Sequence, residues 1–140
     1  MECRTIAIAL IFIISILFTG CIENPIKSKD ITFELKPVEL AVKNNESAEV
    51  KIRVANNGKS IIHPVVRFNM NSSDKSYVDF SPGSYDAGSL RPGEDSGFRI
   101  VDIKARLAAG TEIKYPVRVE VINNNGSVLE SRDILITVRR

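Results

Sequence analysis

The chain has 140 residues, a length typical of one domain, and its 44% hydrophobic and 26% charged residues indicate a globular protein rather than a disordered one. Its formal net charge of +2, with acidic and basic residues interspersed, argues against the clustered Lys and Arg of a nucleic-acid-binding surface. Both cysteines, Cys3 and Cys21, lie near the N-terminus, so residues 22–140 hold no disulfide, thiolate nucleophile or cysteine metal site.

The N-terminal residues 1–20 are far more apolar than the rest of the chain. Residues 5–19 carry no charge and follow a single basic residue, Arg4. A basic start, an apolar core of roughly 7–15 residues and small residues at a cleavage site form a secretory signal peptide. The run is short for a membrane span, which needs about 20 residues, but counting on to Ile22 keeps an uncleaved signal anchor as the alternative.

This segment ends in the sequence FTGC, at 18–21. It resembles the lipobox of bacterial and archaeal lipoproteins, in which the cysteine becomes the lipid-modified first residue of the mature chain. Thr19 and Gly20 match the small residues before the cut, whereas Phe18 departs from the usual leucine. The resemblance implies lipidation of Cys21. Lipidated or held by a signal anchor, the chain is expected at the extracellular face of the cell membrane.

Residues 21–30 are polar, contain Pro25 and show no periodicity, so they are predicted to be a short tether before a domain at 31–140. From residue 31 onward the apolar residues recur at every second position, as in β-strands. In 31–36 this pattern is regular. Pro37 interrupts it, and the alternation then resumes with shifted parity, which predicts an edge strand that kinks at the proline.

The clearest alternation falls in 48–54 and 112–121, each followed by an Asn-Gly turn signal. The inward-facing residues predicted there are Ala48, Val50, Ile52 and Val54 in the first strand and Ile113, Tyr115, Val117, Val119 and Val121 in the second. Further strands are predicted at 65–70, near 78–80 and 85–87, at 98–105 with a bulge near Asp102, and at 128–138. About seven or eight strands without a helix predict an all-β protein, a two-sheet antiparallel β-sandwich.

Three segments carry a family resemblance: NNG at 56–58, LRPGE at 90–94 and the long strand 112–121. They resemble the immunoglobulin-like domains of prokaryotic cell-surface proteins, archaeal ones among them, and the CARDB-type and S-layer-associated domains in particular. The resemblance covers nearly all of the domain and implies an immunoglobulin-like β-sandwich. The cysteine pair and tryptophan of antibody domains are missing. Tyr115 is either the tyrosine corner of such a fold or an ordinary core residue.

No group of residues forms a recognisable catalytic site. His63 is the only histidine, and one histidine without cysteine cannot build a zinc site. Five carboxylates in one loop-rich region lack the spacing of a calcium loop, which favours solvated loop charges. They are Asp74, Asp79, Asp86, Glu94 and Asp95. We therefore predict a protein that is not an enzyme, with no catalytic, cofactor-binding or metal-binding residues and no cofactor.

Three Asn-x-Ser tripeptides, at Asn45, Asn71 and Asn125, fall in predicted loops or turns. Chance explains this number nearly as well as function, but in a host that glycosylates exported proteins these asparagines are candidate acceptors.

Two functions are consistent with the sequence. The first is a non-catalytic, membrane-anchored module that binds a protein, glycan or envelope component, and exposed first and last strands would let it recruit a partner by strand addition. The second is a small ligand- or metal-binding lipoprotein subunit of a membrane complex. A pocket between loops would favour the second.

Overall fold

The structure, a computed structural model, describes residues 30–140. The predictions for 1–20, for 21–29 and for Cys21 lie outside the described residues. Nine strands follow one another along the chain. They are β1 (Ile31–Lys36), β2 (Glu39–Lys43), β3 (Ser47–Asn56), β4 (Val65–Asn69), β5 (Val78–Ser81), β6 (Ser84–Asp86), β7 (Arg99–Ala105), β8 (Glu112–Ile122) and β9 (Val128–Arg139). Within this part of the chain, no helix is long and apolar enough to cross a membrane.

The strands form two sheets, one in the order β1-β3-β7-β5 and the other in the order β2-β9-β8-β4-β6. Every pairing is antiparallel except that of β2 with β9, which is parallel. This arrangement confirms the predicted all-β, immunoglobulin-like sandwich.

Two prolines lie where the chain passes from one sheet to the other. Pro37 separates β1 from β2, and Pro82 separates β5 from β6, and in each case the two parts belong to opposite sheets. Proline cannot donate a ladder hydrogen bond, so it suits a point where one pairing ends and another begins. The kink predicted at Pro37 is therefore a change of sheet.

The core lies between the sheets and comes from the alternating residues of both. Val50, Ile52 and Val54 of β3 are fully buried, as are the inward positions of β8 from Tyr115 to Val121. Ala48 and Ile113, at strand ends, are half-buried against this core. The predicted inner faces of the two clearest strands are confirmed.

Two finer predictions are wrong. The pairing of β7 with β3 and β5 runs through Asp102 without a bulge, because Val101, Ile103 and Ala105 alternate regularly inward. The register shift lies instead between Val121 and Ile122 of β8. The last strand, β9, was predicted to be an exposed edge strand, but β2 pairs with its second half.

The two ends of the sandwich carry different loops. At one end, here called the proximal end, the Asp30 carbonyl accepts a hydrogen bond from the Asn57 backbone N–H (2.7 Å), so the chain enters β1 beside the loop 57–64. The loops 87–98 and 123–127 lie at the same end. The distal end carries the loops 44–46, 70–77 and 106–111.

Candidate interaction surfaces

The two short motifs of the sequence meet at one buried side chain. Asn56 is 1% exposed, and its amide N–H groups donate to the carbonyls of Ser60 (2.8 Å) and Leu90 (2.9 Å). Its side-chain oxygen accepts from the Gly58 N–H (3.0 Å), and its backbone pairs with Gly93 and Glu94. The NNG turn and the LRPGE turn are thus held together, a role that the sequence alone did not indicate.

After the LRPGE turn, the segment 95–98 runs beside β3, and Phe98 lies on the outer surface of the four-stranded sheet. The Ser96 N–H donates to the Val54 carbonyl (2.9 Å), and the Ser96 hydroxyl accepts from the Val54 N–H (3.0 Å). Phe98 and Ile100 are 52% and 50% exposed. Two large apolar side chains close together on one solvent face point to an interaction surface. We call this surface the four-strand face.

Cations surround the Phe98 ring. The Arg53 guanidinium lies 5.3 Å from the ring centroid and the Lys36 ammonium 5.9 Å, both within cation–π range. Arg53 also pairs with Glu34 and with Asp95 (3.5 Å). Hydrogen bonding by Arg53 and then by Lys36 lowers the pKa of Glu34.

Further along the four-strand face, like charges lie directly opposite one another on neighbouring strands. Lys36 of β1 is opposite Lys51 of β3, and Glu49 of β3 is opposite Asp102 of β7. Directly opposed like charges destabilise a sheet. A face that retains them together with exposed apolar residues is better suited to a partner than to solvent.

On the outer surface of the five-stranded sheet, the five-strand face, Lys43 of β2 lies opposite Arg139 of β9, but Arg139 is paired with Glu112. Cross-strand ion pairs link its strands, and the described part of this face has three: Arg67–Glu120 (3.1 Å), Arg118–Asp133 (3.0 Å) and Arg139–Glu112 (2.6 Å). Surface pairs of this kind contribute little stability, about 0–1 kcal/mol each, but they leave few charges for a partner. Over most of its length this face is a solvated surface.

A polar pocket of about 410 Å³ opens at the distal end. Its lining residues are Asn45, Ser76, Tyr77, Asp79, Lys104, Ala105 and Arg106. The Arg106 guanidinium lies over the Tyr77 ring, 5.6 Å from its centroid, and its Nε donates to the Ser76 carbonyl (3.0 Å). Donors, acceptors and one aromatic ring therefore converge in a loop-bounded cavity.

Two buried tyrosines have opposite hydrogen-bonding states. The Tyr115 hydroxyl donates to the Arg106 carbonyl (2.9 Å), upstream in the loop before β8, which supports the tyrosine-corner interpretation. The Tyr85 hydroxyl is buried without a hydrogen-bond partner among residues 30–140, and Arg99 covers its ring at 5.0 Å. Burial raises the pKa of Tyr115 and raises that of Tyr85 to about 12.

Removing each hydroxyl should therefore have opposite effects. We expect Tyr115→Phe to lower the free energy of unfolding by about 1–2 kcal/mol, because a satisfied buried hydrogen bond is lost. Tyr85→Phe should be neutral or stabilising, because it removes an unpaired buried group. Urea denaturation of the full chain in mild detergent, followed by circular dichroism, measures both. Each variant is the matched control of the other, and equal losses would contradict the assignment.

Tyr85 also predicts how the stability of the fold depends on pH. The folded chain holds the Tyr85 proton more tightly than the unfolded chain, whose tyrosine pKa is near 10. This contribution to stability is complete below pH 10 and is lost as the pH rises towards 12. Tyr85→Phe should accordingly lose less stability than the wild type over this interval.

The predicted glycosylation sites lie in separate, exposed places. Asn45 lies in the turn between β2 and β3 with a φ of 67°, beside the distal pocket. Asn71 lies in the loop after β4, and Asn125 in the turn between β8 and β9, where its side chain accepts from the Ser127 N–H (3.0 Å). The three asparagines therefore do not form one site.

His63 and the five predicted loop carboxylates are also dispersed. His63 is exposed before β4. Asp86, Glu94 and Asp95 accept hydrogen bonds from the backbone N–H groups of Gly88 (2.7 Å), Arg91 (2.8 Å) and Gly97 (2.7 Å), respectively. Among residues 30–140, no three Asp, Glu, His or Cys side chains gather closely enough to hold a metal ion.

Comparison with known proteins identifies only a shared fold. No protein-family model and no curated protein matches this chain. It is similar to the class 5 fimbriae chaperone CfaA with a TM-score of 0.50 and 15% identity, over 76% of this chain and 55% of that one. For the CsuC–CsuE chaperone–tip adhesion subunit complex of Acinetobacter baumannii, the TM-score is 0.49 and the identity 18%, over 77% and 56% of the two chains. For the E. coli chaperone DraB the values are 0.49 and 15%, over 78% and 55%. The chain thus spans about half the length of these structures, and at such identities what it shares with them is an immunoglobulin-like β-sandwich.

Proposed function

We propose that the protein is a non-catalytic interaction module, anchored by its N-terminus at the extracellular face of the cell membrane, that binds a protein partner through the four-strand face. The observation that carries the binding proposal is the contrast between the two outer surfaces. Over the described residues, the central part of the five-strand face is covered by cross-strand ion pairs. The four-strand face has ion pairs too, among them Lys36 with Glu34 (3.2 Å), but it also exposes Phe98 and Ile100 beside the like-charge opposition of Glu49 and Asp102. Residue patterns that lower stability locally are expected where a protein binds something else.

The anchoring proposal depends on residues 1–21. The uncharged run, the small residues Thr19 and Gly20 and the position of Cys21 support a lipid-modified N-terminus, with an uncleaved signal anchor as the alternative. The segments NNG and LRPGE support a prokaryotic, archaeal cell-surface protein of the CARDB or S-layer-associated type. In such a host, Asn45 and Asn71, in the loops of the distal end, are the proposed acceptors for N-glycans, whereas Asn125 lies in the turn 123–127 at the proximal end.

Cys21→Ser tests the nature of the anchor. We expect the variant to lose the mass of the lipid, because serine provides no thiol for lipid attachment. The lipidated form should therefore disappear from the membrane fraction, and the variant should appear as soluble protein or as uncleaved precursor. Mass spectrometry and detergent partitioning of the full chain, expressed in a related prokaryotic host, measure both changes. Cys3→Ser is the matched control. Equal mass and equal retention of the Cys21→Ser form would contradict lipidation and favour the signal anchor.

Site-specific crosslinking tests the partner surface. Since residues 22–140 contain no cysteine, Lys51→Cys on the four-strand face and Lys114→Cys on the five-strand face each introduce one site there for a photo-crosslinker, in a Cys3→Ser background. We expect a crosslinked protein at the cell surface from position 51 and none from position 114. Adding Ile100→Asp should abolish that product without changing the melting temperature. Equal products from both positions would contradict the assignment of the face.

The distal pocket favours a second candidate function, that of a ligand-binding subunit of a membrane complex. Its lining of Asn45, Asp79, Lys104 and Arg106 suits a hydroxyl-rich or acidic small molecule. Thermal shift with a neutral disaccharide, glucuronate and Ca²⁺ tests it. A stabilisation that Lys104→Ala removes would support this function, and no shift with any of the three would leave the four-strand face as the binding surface.

A further inference from the structure

The proximal end of the sandwich carries an unusual row of aliphatic side chains. Val65 of β4 is directly opposite Ile122 of β8, and Ile122 is directly opposite Val128 of β9. Their neighbours Val66 and Val121 are fully buried, so the row belongs to the outer surface of the five-stranded sheet. Val128 is 52% exposed, and Val65 and Ile122 are partly exposed.

Ile61 adds to this apolar surface from the neighbouring loop. It is 54% exposed and lies between the Asn57 turn and β4. The next row of the same sheet is occupied by the ion pair of Arg67 and Glu120. The exposed aliphatic residues are therefore confined to the proximal margin of this face. We call Ile61, Val65, Ile122 and Val128 the proximal patch.

In the described residues, the distal loops hold no large hydrophobic side chain that is at least half exposed. Among residues 30–140, the large hydrophobic side chains that are at least half exposed are Val38, Ile61, Phe98, Ile100 and Val128, and none lies in the distal loops 44–46, 70–77 or 106–111. The partly exposed apolar side chains of the distal loops, Met70, Tyr77 and Leu107, pack against the core, so the most strongly exposed large aliphatic residues lie towards the proximal end.

The anchored segment approaches the apolar end. Asp30 contacts the loop of Ile61 through Asn57, and eight residues, 22–29, lie between it and Cys21. The nine steps from Cys21 to Asp30 span at most about 32 Å even when fully extended, so the proximal end stays within that distance of the lipid. The distal end lies a full strand length further away, about 37 Å for the eleven residues of β8.

We propose that the proximal patch rests on the lipid surface of the membrane that holds the N-terminus, with Ile61 and Val128 entering the interfacial layer. This inference rests on the proposed anchoring. Contact there would fix the orientation of the module and keep the four-strand face accessible from the side. Exposed aliphatic side chains are favoured at the boundary between headgroups and acyl chains, where they leave water.

The chain contains no tryptophan, so a single introduced tryptophan is an unambiguous probe. Full-length Ile61→Trp, Val128→Trp and Ala109→Trp variants are purified in detergent and reconstituted into phosphatidylcholine vesicles with or without brominated acyl chains. Ala109 is exposed in the distal loop 106–111 and is the matched control. We expect the brominated lipid to quench most of the fluorescence of the first two variants and to leave that of Ala109→Trp unchanged.

The possible results separate this inference from the anchoring. If the variants float with the vesicles but all three keep their fluorescence, the anchoring stands and the lipid contact is overturned. If positions 61 and 128 are shielded from soluble acrylamide but not quenched by bromine, protein rather than lipid covers the patch, and the inference is again overturned. If the chain does not float with vesicles, the proposed anchoring fails, and this inference fails with it.

Discussion

Replacing Phe33 with alanine is expected to lower the free energy of unfolding by about 3–5 kcal/mol, the range typical of a buried aromatic truncation. Phe33 is 1% exposed, although its strand, β1, is at the edge of the four-stranded sheet. Such a strand has only one hydrogen-bonded neighbour, β3, so its inward side chains contribute much of its attachment. Removing the ring would leave a cavity beside Val54, which lies directly opposite.

Urea denaturation of the full chain in mild detergent, followed by far-ultraviolet circular dichroism, measures this loss. Lys36→Ala, an exposed residue of the same strand, is the control and should change stability by less than about 0.5–1 kcal/mol. A Phe33→Ala loss as small as that of the control would mean that β1 does not close the core.

Asn56→Ala should lower the free energy of unfolding by about 2–4 kcal/mol, because three hydrogen bonds worth about 0.5–1.5 kcal/mol each are lost. The Leu90 carbonyl would keep only the Ile62 N–H as a donor, and the junction between the NNG and LRPGE turns would loosen. Asn56→Asp should be at least as harmful, because a carboxylate would face two carbonyl oxygens instead of donating to them.

The neighbouring Asn57 is a natural control for this substitution. Its side chain also makes a hydrogen bond, to the Thr32 hydroxyl (2.6 Å), but in an exposed position. Asn57→Ala should therefore cost about 0.5–1 kcal/mol or less, because water replaces the lost partner. The same denaturation measurement compares the two. If Asn57→Ala proved as costly as Asn56→Ala, the buried junction would not be the source of the effect.

The sequence predicts the strands best where one sheet face is buried and the other is solvated. Such strands, 48–54 and 112–121, show uninterrupted alternation, and their inward residues are those that pack in the core. Periodicity also placed a break at Pro37. It could not show that the chain changes sheet there, because alternation reports which side chains share a face and not which strands exchange hydrogen bonds.

The errors have the same origin. The pattern around Asp102 suggested a bulge because Ile100 is aliphatic, whereas Ile100 faces solvent on the four-strand face. An exposed apolar residue in a strand imitates a break in the alternation, and here it marks a candidate binding surface. Asn56 was missed because its turn reads as solvent-exposed, and its burial depends on Leu90, which is distant in sequence.

The parallel pairing of β2 with β9 has a mechanical consequence. A pull applied between residues 30 and 140 first loads β1 through its six residue pairs with β3. Once β1 yields, the pull moves the start of β2 and the end of β9 in opposite directions, parallel to the strands. The hydrogen bonds across the five residue pairs from Glu39–Leu135 to Lys43–Arg139 then bear the load together, in shear. An antiparallel hairpin pulled at its open end would instead separate one bond at a time. The two strands therefore form a small clamp that holds the C-terminal strand to the five-stranded sheet after β1 has been pulled away.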